Sequence, residues 1–141
     1  MDTVLDWFAV CAVLLFLKMF ALSLVQGYHR IGKRQFPNPE DAAVVGRRPV
    51  TEDLPEVQRA QRAWRNDLEN IPVFFALGLI YVLVDASPQA APSLFVTFTA
   101  SRYVHSVTYL LALQPWRTLA YGIGIGCLFG MSFCILRAVL V

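Results

Sequence analysis

Long apolar runs alternate with short polar stretches along this chain, and the spacing predicts membrane-crossing helices. Leu5 to Gln26 is apolar apart from Asp6 at its start, Lys18, Ser23 and the terminal Gln26. A helix of that length crosses a hydrocarbon core of roughly 30 Å, which takes about 20 residues. Ile71 to Val84 is short by itself, but it continues without a break from the charged turns that begin at Glu56. The pattern therefore predicts one long helix over about 56–84 that projects beyond the lipid, with Pro72 inside it as a kink tolerated among neighbouring helices. Ser93 to Leu113 and Leu119 to Val141 supply two further apolar runs, read as spans at about 93–113 and 117–140.

Polar punctuation separates these runs. Tyr28 to Pro55 carries His29, Arg30, Lys33 and Arg34, followed by Pro37, Pro39, Gly46, Pro49 and Pro55, and reads as a polar loop over 28–55. Asp85 to Pro92 and Gln114–Pro115 read as short turns. The expectation is an all-α integral membrane protein, one domain over 1–141, with four transmembrane helices in an up-down bundle.

Composition supports the membrane reading. In 141 residues, 57% are hydrophobic and only 16% charged, with mean hydropathy +0.53, which is too apolar for an ordinary soluble domain. A secretory signal is the alternative for the first run, but Asp2 and Asp6 flank it where basic residues belong, and it exceeds the usual apolar length of about 7–15 residues. Arg and Lys crowd between residues 30 and 65, so the positive-inside rule puts the first loop and the Arg117 turn on the cytoplasmic side, with both termini opposite. Cys11, Cys127 and Cys134 lie in apolar runs without a CxxC pair, so they read as buried small hydrophobes. Gly122, Gly126 and Gly130 recur four apart, which predicts close helix packing rather than a dinucleotide fingerprint.

Two polar stripes interrupt the apolar pattern where a lipid-facing charge would be expensive. Arg59, Arg62, Arg65, Asn66 and Glu69 recur at three- and four-residue steps, so they share a helical face. Arg102, His105 and Tyr109, at i, i+3 and i+7, form a second stripe near the middle of the third span. An arginine at that depth costs about 2.5–3.5 kcal/mol on insertion scales, so it must face protein or water. As a structural network Arg102 would pair with Glu69 or Asp67, and the basic face would meet lipid headgroups. Arg59 reads as a surface cation. Arg117 and Tyr121, one turn apart beside Thr118, stand at the start of the fourth helix, where an interfacial anchor is the plain alternative. Two histidines, His29 and His105, make no metal cluster, and no nucleophile elbow or phosphate loop is present. The inventory suits a small zwitterion with several carboxylates.

RAWRNDLENI, FPNPEDA (Phe36 to Ala42), RYVHSVTYL (Arg102 to Leu110) and the stretch Arg117 to Tyr121 resemble the membrane-associated proteins in eicosanoid and glutathione metabolism, in order and over nearly the whole chain. The resemblance implies a four-helix protomer assembled as a homotrimer, with glutathione bound between subunits toward the cytoplasm. It implies glutathione contacts at Arg30, Arg65, Asn66, Glu69, His105, Tyr109, Arg117, Thr118 and Tyr121, with Arg62 and Arg102 as supports. Arg117 and Thr118 would act on the thiol, and Asp41 matches a loop aspartate given a catalytic role in the prostaglandin synthase branch.

The implied activity is glutathione transfer to lipophilic electrophiles that enter from the bilayer, with reduction of lipid hydroperoxides as a related reaction. Arg65 and Tyr121 also suit a prostaglandin E synthase-type isomerase, whereas LENI at Leu68 to Ile71 is closer to the transferases. A non-catalytic lipid- or partner-binding scaffold is the alternative from another class. No nucleic-acid partner is expected. The membrane would be the endoplasmic reticulum in a eukaryote and the inner membrane in a bacterium.

Overall fold

The computed structural model describes residues 3–141, so Asp2 lies outside the described residues. Five helices follow one another: α1 (Val4–Lys33), α2 (Pro39–Val44), α3 (Pro55–Leu83), α4 (Ala91–Leu110) and α5 (Trp116–Leu140). No strand occurs among the described residues. α1 starts from a capping box, in which the Thr3 hydroxyl accepts from the Asp6 amide and the Asp6 carboxylate accepts from the Thr3 amide.

Contacts between the long helices fix an up-down order. Phe8 near the start of α1 meets Phe74 in the second half of α3, while Lys33 at the end of α1 meets Glu56 at the start of α3, so these two helices are antiparallel. The pairs Asp67–Arg102 and Tyr81–Phe95 run in opposite senses along α3 and α4. On α5, Tyr121 faces His105 and Gly130 faces Leu94, so α5 is antiparallel to α4.

α1, α3 and α5 are long and apolar enough to cross a membrane. In the most apolar window of α1 and of α5 only 22% of the residues are buried, so most of their apolar side chains point outward, as a lipid solvent requires. α4 is not among those three, against the four spans expected. Its twenty residues include Ser101, Arg102, His105, Ser106 and Thr108, which lower its hydropathy and are all buried.

One end of the bundle is sealed by aromatic packing. Phe74 stacks on Phe98 with ring centroids 4.6 Å apart, and Phe95 meets Phe74 edge-on at 5.6 Å. A Cβ at Gly78 would overlap the Phe8 ring of α1, so any larger residue there would have to displace that ring. The glycines of α5 divide differently from the expected stripe. Gly124 and Gly130 lie against Ser101 and Leu94 of α4, whereas a Cβ at Gly122 or Gly126 would meet open space.

The expected loop over 28–55 is shorter than its composition suggests. α1 continues to Lys33, and Pro39 at the first turn opens α2. Ion pairs carry the extension. Arg30 donates from Nε and Nη2 to the two oxygens of Asp53 at 2.8 and 2.6 Å, and Lys33 reaches Glu56 at 3.0 Å. Basic residues in the last turn also suit the negative end of the helix dipole. Pro72 sits inside α3, which runs unbroken through it.

Candidate functional site

The buried face of α3 recurs as Ala60, Ala63, Asp67, Asn70 and Phe74, all at helical spacing. Asp67 therefore points into the bundle, while Glu69, two residues on, emerges on the exposed side. Asp67 is 0% exposed and Arg102, on the facing stripe of α4, is 1% exposed. Arg102 donates to Asp67 Oδ1 from Nη2 at 2.7 Å and from Nε at 3.2 Å. Of the two carboxylates that could pair with Arg102, geometry selects Asp67.

Lys18 of α1, also buried, donates to the other carboxylate oxygen, Asp67 Oδ2. Two cations thus share one anion in the middle of the bundle. In the sequence Lys18 stands only as an interruption of an apolar run. An ionisable residue inside a span was itself the available signal, because such residues face protein and mark polar networks.

The network reaches the surface through Asn66. Arg102 Nη2 donates to Asn66 Oδ1 at 2.6 Å, and Asn66 is half-buried. One turn beyond Arg102, the buried His105 ring lies 5.6 Å from Tyr109 and 6.3 Å from Tyr121. Arg117 places its guanidinium 4.6 Å above the Tyr109 ring, a cation–π contact between the end of α4 and the start of α5. In the amide orientation that satisfies both neighbours, Gln114 accepts from Arg117 Nη2 at 2.6 Å and donates to Thr118 Oγ1 at 3.1 Å. His105 Nδ1 is buried with no hydrogen-bond partner within the chain.

His105, Tyr109, Arg117, Thr118 and Tyr121 are thereby gathered at the α4–α5 junction, one turn from the Asn66–Arg102 pair, with Tyr121 and Thr118 exposed. Other expected site residues stand apart within the protomer. Arg62, Arg65 and Glu69 are exposed on α3, and among the described residues they form no hydrogen bond or ion pair. Asp41, exposed on α2, accepts from Asn38 at 3.1 Å. Arg30 directs its guanidinium fork at Asp53, and that bond holds the Asp53 carboxyl below its ordinary range. Arg59 lines a cavity of about 430 Å³ with Val25, His29 and Leu110.

Residues 8–137 match the MAPEG family. The chain belongs to the MAPEG family. Among individual relatives, it is 42% identical to a horse protein named prostaglandin E synthase over 115 residues, 81% of this chain and 75% of the relative. It is 38% identical to mouse prostaglandin E synthase over 134 residues, 94% of this chain and 88% of the relative. It is also 33% identical to human microsomal glutathione S-transferase 1 over 142 residues, 97% of this chain and 92% of the relative. Each match extends beyond the site stripes, so the MAPEG assignment covers the whole helical frame.

Proposed function

We propose that this MAPEG chain is a glutathione-dependent membrane enzyme that transfers the tripeptide thiol to lipophilic electrophiles, with reduction of lipid hydroperoxides as a related reaction. The observation that carries this reading is the cationic and aromatic corner formed by Arg117, Tyr109, His105 and Tyr121 at one end of the α4–α5 pair. The residues fit the ligand chemically. Arg65 and Arg117 suit carboxylates or a thiolate, Glu69 suits an ammonium, and the buried His105 Nδ1 is left for a further polar contact.

When bound, glutathione supplies a sulfur nucleophile. A free thiol with a pKa of about 8.5 is mostly protonated at neutral pH, and lowering that value by two units takes about 2.7 kcal/mol of preferential thiolate stabilisation. Arg117 offers the positive charge for this, held by its seat on Tyr109 and by Gln114. The hydroxyls of Thr118 and Tyr121 add hydrogen-bond donors at the same corner. Arg65, Asn66, Glu69, His105 and Tyr109 would bind and orient the peptide, Arg62 and Arg102 would support them, and Asp41 would act from α2. Arg30 is included in this ligand set with the Asp53 pair as its competing partner.

We further infer a homotrimer of four-span protomers, with the ligand between neighbouring subunits. Support comes from the exposed, unpaired Arg62, Arg65 and Glu69 on a helix apolar enough to span a membrane. These charges lie on the turns that project beyond the apolar run, where a neighbouring copy and a zwitterionic ligand would pair them. α4 would be the fourth span, its polar face turned to the bundle. Basic residues at the α1–α3 end suit the cytoplasmic side under the positive-inside rule.

A prostaglandin E synthase-type isomerase is the second reading, favoured by 42% identity to the horse synthase against 33% to the human transferase. Product analysis separates the two. Purified protein is incubated with glutathione and either a chlorinated aromatic or prostaglandin H2. Conjugate formation with the aromatic is the expected result, and turnover of the prostaglandin alone would reverse the choice.

A further inference from the structure

Lys18 has no role in the proposed chemistry, yet it is 4% exposed and fully committed to one partner, Asp67 Oδ2. Its effect is on how Arg102 can bind. A free arginine–carboxylate pair prefers the fork arrangement, with two guanidinium nitrogens on two carboxylate oxygens. Here Lys18 occupies Oδ2, and both Nε and Nη2 of Arg102 converge on Oδ1, at 3.2 and 2.7 Å. The second proton of Nη2 goes to Asn66 Oδ1, at 2.6 Å, and the tilt of the guanidinium that converges on Oδ1 sets the direction of that bond. Arginine can only donate, so the contact also dictates the Asn66 amide orientation: its oxygen faces Arg102 and its NH₂ faces the rim.

We propose that Lys18 is a positioning residue for ligand recognition. By reserving Asp67 Oδ2 it keeps Arg102 on Asn66, so that Asn66 meets the ligand as a donor only and selects an acceptor oxygen, a carboxylate or peptide carbonyl. The inference rests on the glutathione reading above. Its physical content is a relay across three helices, from Lys18 on α1 through Asp67 on α3 and Arg102 on α4 back to Asn66 on α3. Without the ammonium, Asp67 can rotate to take Arg102 through both oxygens, which turns the guanidinium and misaligns the Nη2 proton that sets the Asn66 amide.

Replacing Lys18 with methionine leaves Asp67 paired one-to-one with Arg102, so the variant retains a charge-balanced interior. The test is a double-mutant cycle on glutathione binding by calorimetry in detergent. Lys18→Met is expected to weaken binding about tenfold or more, but less than about twofold in an Asn66→Ala background, since the two residues act as one unit. Lys18→Arg should recover most of the loss. An equal Lys18→Met effect in both backgrounds would mean a general structural role and overturn the proposal, as would unchanged affinity. If Lys18→Met does not assemble, Lys18→Gln is carried through the same cycle with the same criteria. Absence of glutathione binding by the unmodified protein would overturn the glutathione reading and this relay with it, whereas binding that ignores Lys18 overturns the relay alone.

Discussion

Asp67 and Arg102 face each other across α3 and α4 with 2.7 Å between Oδ1 and Nη2, both excluded from solvent. Together with Lys18 they form the charged centre of a bundle whose remaining interior is largely aromatic and aliphatic. Desolvating these charges is costly, and only mutual pairing offsets it.

Removing the shared anion should therefore hurt more than removing either cation. Asp67→Asn leaves Lys18 and Arg102 facing each other without a countercharge, and breaking a buried pair in this way costs about 3–5 kcal/mol. Thermal unfolding in detergent should show a large loss for Asp67→Asn and a clearly smaller one for Lys18→Met. Equal losses would contradict the sharing seen here.

Arg117→Ala should leave the helical frame intact, because Arg117 is only half-buried and its contacts are confined to Tyr109 and Gln114. Turnover should fall about a hundredfold if the guanidinium supplies about 2.7 kcal/mol of thiolate stabilisation. The direct readout is the absorbance of the glutathione thiolate as pH is raised. Its midpoint should move upward in the variant at an unchanged circular dichroism spectrum.

The clasp between α1 and α3 should weaken in acid. Arg30 holds the Asp53 carboxyl below its ordinary range, so the folded-state value is depressed relative to the unfolded chain. The associated stability is fully present above the ordinary carboxylate value of about 3.9 and is lost as pH falls through the lower folded value. Limited proteolysis of the 34–54 segment should quicken in that acid window in the unmodified protein. Asp53→Asn should show faster cleavage already at neutral pH and a smaller added step in acid, the remainder coming from Lys33–Glu56.

Phe74 touches Phe8, Phe75, Phe95 and Phe98, so Phe74→Ala should open a cavity at the aromatic end. Lipid solvates the exposed chain as well as the protein interior does, so the transfer part of the usual cost is missing. The loss should fall near the lower end of the roughly 3–5 kcal/mol typical of water-soluble cores. Glutathione affinity should change little, because the aromatic seal is separate from the Arg117 corner.

Local pattern by itself determined the helices, the inward stripe of Arg102, His105 and Tyr109, and the family, because hydrophobic period and turn chemistry depend on near neighbours in the chain. It misjudged the first loop, since Arg30–Asp53 and Lys33–Glu56 join residues 23 apart and extend α1 through polar sequence. It also left the partner of Arg102 open between Asp67 and Glu69. Only tertiary packing decided that choice, because the two carboxylates emerge on different sides of α3 and which side is inside depends on where α1 and α4 lie. The same packing turned Lys18 from a blemish in an apolar run into a fixed member of the polar centre. A buried charge is defined by what surrounds it in space, and its partners here come from helices far apart in sequence.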